Sequence, residues 1–197
     1  MILNSTHTED KVLWKAFKHG DENAFTLLYQ KYVRILYGYG KKLLNDEEAV
    51  EDMIQDLFID LWQSRTKLAD VESPKFYLFR SLRRRIHKSQ TGNYPINQRW
   101  DFDDDRIHPV TFPKEYEIIE AESSKRQKDE LDAWLKNLPV RQYEVLMLKF
   151  YQDFSYEEIA QILTINEQSV RNLIQRAVLK LRQLTISLFF TSLFLFF

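Results

Sequence analysis

Gln168, Ser169, Arg171, Asn172, Gln175, Arg176 and Lys180 lie in a stretch from Glu167 to Arg182 that contains no acid after its first residue. They are the amide, hydroxyl and basic side chains that a helix carries into a DNA major groove. The chemistry on offer is recognition, not bond-making. Two further stretches carry segregated charge. From Asn45 to Trp62 every charged residue is acidic (Asp46, Glu47, Glu48, Glu51, Asp52, Asp56, Asp60), and from Ser73 to Trp100 every one is basic (Lys75, Arg80, Arg83, Arg84, Arg85, Lys88, Arg99). Such segregation implies two partner surfaces, one meeting a basic protein and the other nucleic acid.

The candidate DNA-reading residues need a second helix to hold them. Ser155 and Glu158 form a Ser-x-x-Glu pattern that satisfies the free N–H groups of a helix start, and Ile159, Ile162 and Leu163 make that helix's buried stripe. After Thr164-Ile165-Asn166, Asn166 caps a second helix whose Val170, Leu173, Ile174, Ala177, Val178 and Leu181 recur at helical spacing. The pair reads as a helix-turn-helix. The bland alternative is an ordinary helical hairpin with a solvated basic face.

Earlier in the chain, a short helix near Lys11 to His19 stops at Gly20, and Asp21 caps the next. Phe25, Leu28, Tyr29, Tyr32, Leu36 and Tyr37 then give a long amphipathic helix to about Leu44. After the Asn45-Asp46 break, Val50, Met53, Ile54, Leu57, Phe58, Leu61 and Trp62 form one continuous stripe. A loop from about Ser64 precedes a basic helix that begins near Pro74, a favoured first-turn residue. Between Ser89 and Pro113 periodicity fails while Gly, Pro and Asp accumulate, the composition of a linker. Helices resume near Lys114 and run to Asn137, and another spans about Val140 to Tyr151.

With 4 Gly, 5 Pro and period 3.6 in its long segments, the 197-residue chain is expected to be almost entirely helical. A hydrophobic share of 44% and a charged share of 29% are those of a globular protein. The absence of Cys excludes disulfides, thiolate nucleophiles and thiolate metal sites. His7, His19, His87 and His108 lack metal-ligand spacing, and no Gly-rich phosphate loop is present, so neither catalysis nor a cofactor is expected. The first residues carry no export signal, and a cytoplasmic location is expected.

Set in chain order, these segments resemble an RNA polymerase sigma factor of the extracytoplasmic-function type within the sigma-70 family. DENAFTLLYQKYVRILYGYGKKLL, VEDMIQDLFIDLW and SPKFYLFRSLRRRI are similar to region 2, and LPVRQYEVLMLKFYQDFSYEEIAQILTINEQSVRNLIQRAVLKLR to region 4. The SPKFYLFRSL form and the tail resemble the Bacteroidetes branch. The resemblance implies an all-α chain of two small helical domains: region 2 over 9–90, a flexible linker over 91–113, region 4 over 114–184, and an apolar tail over 185–197.

By the same resemblance, Asp52, Gln55 and Asp56 match positions that dock on the beta-prime clamp helices of core RNA polymerase. Their i, i+3, i+4 spacing puts them on one helix face, open to Arg partners. The loop from Ser64 and the helix bearing Lys75, Arg80, Arg83, Arg84 and Arg85 match the part that opens and reads the minus-ten element, and unstacked bases suit basic and aromatic side chains. Phe79, Leu82 and Ile86 are expected in the core, and Arg84 stands where the family often has Asn. Gln168, Arg171, Asn172, Gln175 and Arg176 match minus-thirty-five readers, with Ser169 and Lys180 as phosphate contacts. Arg pairs with guanine edges and Asn or Gln with adenine. The turn lacks the Gly frequent in the family, and Leu173 replaces a common basic residue.

The implied partners are core polymerase, through the clamp helices and the beta flap, promoter DNA and an anti-sigma factor. The alternatives are an all-helical interaction adaptor and a conventional helix-turn-helix regulator. The uncharged tail TISLFFTSLFLFF packs on the protein, touches a membrane surface peripherally or binds the restraining regulator, and it falls short of the ~20 apolar residues a spanning helix needs.

Overall fold

The computed structural model describes residues 3–91 and 138–194, and every described element is helical. The chain divides into two units, Met1–Gln98 and Arg99–Phe197. The expected linker and the helix expected from Lys114 to Asn137 lie outside the described residues.

In the first unit α1 spans Leu3–Lys18, α2 Glu22–Leu43, α3 Glu47–Ser64 and α4 Pro74–Thr91, with a 3₁₀ turn at Arg65–Lys67. The starts of α2, α3 and α4 have a local cause. The Asp21 carboxylate accepts from the N–H groups of Asn23 and Ala24 at 2.9 and 3.0 Å, Asp46 accepts from Ala49 at 3.0 Å, and the Ser73 hydroxyl accepts from Phe76 at 3.1 Å. Gly20, at φ +93°, ends the α1 connection in a conformation that side chains disfavour. Trp14 and Phe17 from α1, Leu28, Tyr32 and Leu36 from α2, Val50, Ile54 and Leu57 from α3, and Leu78, Phe79, Leu82 and Ile86 from α4 make one core. α2 and α3 approach closely at Gly40, where an added Cβ would sit 2.6 Å from Val50 Cγ1.

Helix α1 begins well before the expected Lys11. One reason is visible at Asp10, which is buried and accepts from Lys31 at 2.6 Å and from the Tyr32 hydroxyl, tying this turn to α2. Burial first, and the Asp10 hydrogen bond second, push the Tyr32 phenol far above its usual range. Three members of the α2 stripe are not fully buried: Tyr29 is exposed, Phe25 is half-buried, and Tyr37 is half-buried with its hydroxyl donating to Glu47 at 2.9 Å.

In the second unit α5 spans Val140–Leu146, α6 Tyr156–Leu163 and α7 Glu167–Phe194. The single helix expected from Val140 to Tyr151 instead changes at Met147 into a π-helical turn, Met147–Tyr151, which leaves Phe150 and Tyr151 exposed. Leu138, Tyr143, Val145, Leu148, Phe154, Ile159, Ile162, Val170 and Ala177 build the core between these helices. The boundary expected at Leu184 is not a break, because α7 runs through it to Phe194. No helix of the described residues is long and apolar enough to cross a membrane.

Candidate docking and nucleic-acid interfaces

Helix α3 turns Val50, Ile54, Leu57 and Leu61 inward, which by its 3.6-residue period forces Asp52, Gln55 and Asp56 outward. All three are exposed. Neighbouring acids are engaged: Glu47 pairs with Lys41 at 2.6 Å and Asp60 with Arg85 at 2.5 Å. Among the described residues, Asp52 and Asp56 have no such basic partner. Ile59, seven positions after Asp52, shares their face and is 51% exposed. Sequence reasoning passed over Ile59, although an isoleucine at the outer pole of an amphipathic helix was a legible signal.

The five basic candidates of α4 divide. Arg80 and Arg84 are exposed, and the Arg80 guanidinium lies 5.9 Å from the Phe76 ring. Lys75 and Arg83 are half-buried and have contacts within the protein. Arg85 turns back to Asp60 on α3, so the structure gives it an intramolecular partner where a free DNA contact was expected. Phe79, Leu82 and Ile86 are buried as expected, and Tyr77 stacks against Trp14 with ring centroids 5.2 Å apart.

The two last helices form the expected helix-turn-helix. The Ser155 hydroxyl accepts from Glu158 N–H at 3.1 Å while the Glu158 carboxylate accepts from Ser155 N–H at 2.8 Å, a complete capping box. Thr164 closes α6 at φ +57°, the left-handed conformation that Gly often supplies. Asn166 Oδ1 then accepts from Ser169 N–H at 2.7 Å and starts α7.

On α7, Gln168, Arg171, Asn172, Gln175 and Arg176 are exposed. Gln168 Nε2 donates to Asn172 Oδ1 at 3.1 Å, so these two amides act as a pair. Arg171 lies 4.2 Å from the Tyr156 ring centroid on α6 and 3.3 Å from the Glu167 carboxylate, which makes it a bridge between the helices. Tyr156 also meets Lys149, 5.1 Å away. Ser169 is buried at 9% exposure, contrary to its expected place among the outward phosphate contacts, because the Asn166 cap draws this turn against the core. Lys180 is half-buried. Leu173 is core, which accounts for an apolar residue there, whereas Val178, expected in the stripe, is 46% exposed. Leu179, also exposed, lies on the face of Asn172 and Gln175. Among the described residues no cluster of three His, Asp or Glu side chains is placed to hold a metal ion.

Residues 28–92 match Sigma-70 region 2, and residues 128–181 match Sigma-70 region 4. The two stretches lie in the same order as their numbers and together cover more than half of the chain. The chain belongs to the sigma-70 family. This sigma factor is 26% identical to the ECF RNA polymerase sigma factor SigX of Bacillus subtilis, over 82% of its own length and 84% of the relative's. It is 24% identical to the RNA polymerase sigma-H factor of Pseudomonas aeruginosa, over 87% and 91%. Its fold is shared with CnrH, solved with the cytosolic domain of CnrY, at a TM-score of 0.58 and 19% identity over 91% of this chain and 98% of the other. RpoE of Bartonella quintana, solved with the anti-sigma factor NepR, gives 0.54 and 18% over 82% and 96%. With these relatives the sigma factor is of the extracytoplasmic-function type, and it directs core polymerase to promoters and helps to open the minus-ten DNA.

Proposed function

We propose that this sigma factor divides its work among three surfaces. The outward face of α3, with Asp52, Gln55 and Asp56, docks on basic side chains of the beta-prime clamp helices. The observation that carries this reading is two carboxylates that have no basic partner among the described residues on an exposed face, while Glu47 and Asp60 are satisfied internally. A carboxylate held ready at a protein surface forms charge-assisted, bidentate contacts with incoming Arg at little cost in internal pairing. Exposed Arg80 and Arg84 of α4, helped by Lys75 and Arg83, follow the melted minus-ten strand. Asn172, Gln175 and Arg176, with Gln168 behind Asn172, read the minus-thirty-five element.

Neither DNA surface needs high affinity alone. Bound to core polymerase, each raises the effective concentration of the other at the promoter. The bond-forming chemistry belongs to the polymerase, and the sigma factor works in the cytoplasm, with region 4 also meeting the beta flap. Restraint by an anti-sigma protein is the expected regulation, supported by the NepR partner of the RpoE neighbour. Run-off transcription with core polymerase tests the assignments. Asp52→Ala/Gln55→Ala/Asp56→Ala is expected to abolish initiation by losing core binding, and Asn172→Ala/Arg176→Ala to lose promoter choice while core binding persists. Full initiation by both variants would overturn the reading.

A further inference from the structure

The segment from Leu68 to Ser73, between the 3₁₀ turn and α4, has no regular secondary structure of its own. Helix α1 nevertheless holds it at three successive points. The Trp14 indole Nε1–H donates to the Ala69 carbonyl oxygen at 3.3 Å, Lys18 pairs with Asp70 at 2.5 Å, and Lys11 pairs with Glu72. Lys11, Trp14 and Lys18 are spaced i, i+3 and i+7, so one face of α1 faces the whole segment. Trp14 is itself fixed: it is 1% exposed and packs on Tyr77 of α4 and on Phe17. The segment is thus clamped to a rigid helix whose anchor also touches the first turn of the basic helix.

We propose that α1 is a positioning element for promoter opening, with Trp14, Lys18 and Lys11 holding the Leu68–Ser73 loop in the shape that accepts the unstacked minus-ten strand. This rests on the assignment of α4 and its preceding loop to minus-ten DNA. Two physical effects follow from the clamp. A loop ordered beforehand does not lose its conformational freedom when the strand arrives, so more of the contact energy goes into opening. The clamp also pairs Asp70 and Glu72, two acids of the loop that would otherwise repel the phosphates of an arriving strand. Pairing depresses both carboxyls, through the Lys18 hydrogen bond for Asp70 and the Lys11 hydrogen bond for Glu72.

The test uses holoenzyme assembled from core polymerase and the full chain, on a duplex promoter carrying 2-aminopurine in the minus-ten element as reporter of unstacking. Lys18→Glu and Asp70→Lys are each expected to slow opening about two- to fivefold, the scale of one exposed ion pair, with core affinity unchanged. The double reversal, Lys18→Glu/Asp70→Lys, is expected to restore the rate. Asp70→Lys is the sharpest arm, since a loop acting through charge alone would open DNA faster when an acid becomes a base. Faster opening in that variant, an unchanged rate in Lys18→Glu, or failure of the double reversal to recover would overturn the proposal. Arg80→Ala/Arg84→Ala separates the levels. If it slows opening while the Lys18–Asp70 pair is indifferent, only the clamp is wrong; if it leaves opening intact, the minus-ten assignment fails and takes the clamp with it.

Discussion

Arg171 and Arg176 look equivalent on α7, yet their surroundings assign them different work. Arg171 has its guanidinium over Tyr156 and against Glu167, whereas Arg176 is exposed and has no such bridge among the described residues. Removing Arg171 gives up a cation–π contact and an i, i+4 pair, together about 1 kcal/mol. Arg171→Ala is therefore expected to lower the melting temperature and to weaken promoter binding evenly across minus-thirty-five sequences. Arg171→Lys keeps the charge but loses the planar stack and should recover little. Arg176→Ala and Asn172→Ala should leave stability within ~0.5 kcal/mol and relax the choice of single base pairs by about 1–3 kcal/mol each. Binding titrations over a minus-thirty-five substitution series distinguish the two patterns. Ile59 belongs at this scale too. An exposed isoleucine among Asp52, Gln55 and Asp56 contributes nothing visible to the core, so Ile59→Ser should fold normally while core polymerase binds about tenfold more weakly. Unchanged affinity in a core-binding titration would remove Ile59 from the docking face.

At the scale of elements, helix ends and close approaches carry measurable energy. Thr164 holds a left-handed conformation at α6's end, where a β-branched side chain is strained. Thr164→Gly is expected to stabilise the second unit by about 1 kcal/mol in denaturant unfolding. Gly40→Ala poses two opposed effects. Ala is the better helix former by ~1 kcal/mol, but its Cβ would sit 2.6 Å from Cγ1 of the fully buried Val50. Overpacking costs about 1–3 kcal/mol and a buried β-branched neighbour has little room to turn away, so destabilisation is the expected net result. The paired change Gly40→Ala/Val50→Ala relieves the overlap and should recover part of the loss. The α1 clamp has its own signature in acid. Asp70 and Glu72 have folded pKa values below their unfolded ones, so their pairing stabilises the loop above the carboxylate range and is lost as pH falls through the lowered values. Lys15 and His19 add to the depression of Asp70, and Lys15 to that of Glu72. The NMR signal of the Trp14 indole N–H, bonded to Ala69, is expected to move with an acid midpoint lower than that of an ordinary carboxylate.

For the whole molecule, the unresolved question of the sequence was the apolar tail. Helix α7 continues from the recognition helix to Phe194, so the tail grows out of region 4 as helical backbone. Leu173, Ile174 and Ala177 of the same helix are already buried in the described core ahead of the tail. Deleting Ile186–Phe197 is therefore expected to leave the second unit folded, with promoter selectivity in run-off assays unchanged, and to raise solubility. A fall in melting temperature would place the tail in the core. The bipartite organisation has a further consequence: the isolated units should each bind promoter DNA far more weakly than holoenzyme, with strong salt dependence from phosphate contacts.

Helix faces and helix ends were legible because they are local. The stripe of α3, the caps at Asp21, Asp46, Ser155 and Asn166, and the helix-turn-helix follow from residues within a turn or two of each other, where the 3.6-residue period and free N–H groups decide the outcome. The outward place of Asp52, Gln55, Asp56, Arg80 and Arg84 follows in the same way. Which of the outward groups remain available is a different kind of information. Arg85 is joined to Asp60 across 25 positions, Lys18 to Asp70 across 52 and Lys11 to Glu72 across 61, distances in sequence over which no periodicity operates. The same holds for the bridge from Arg171 to Tyr156. The amino-acid sequence by itself determined the helices, their polarity and the family they belong to. Only the packing of those helices decided which charges are spent inside the protein and which stay free, because an ion pair depends on separation in space, and tertiary contacts set that separation.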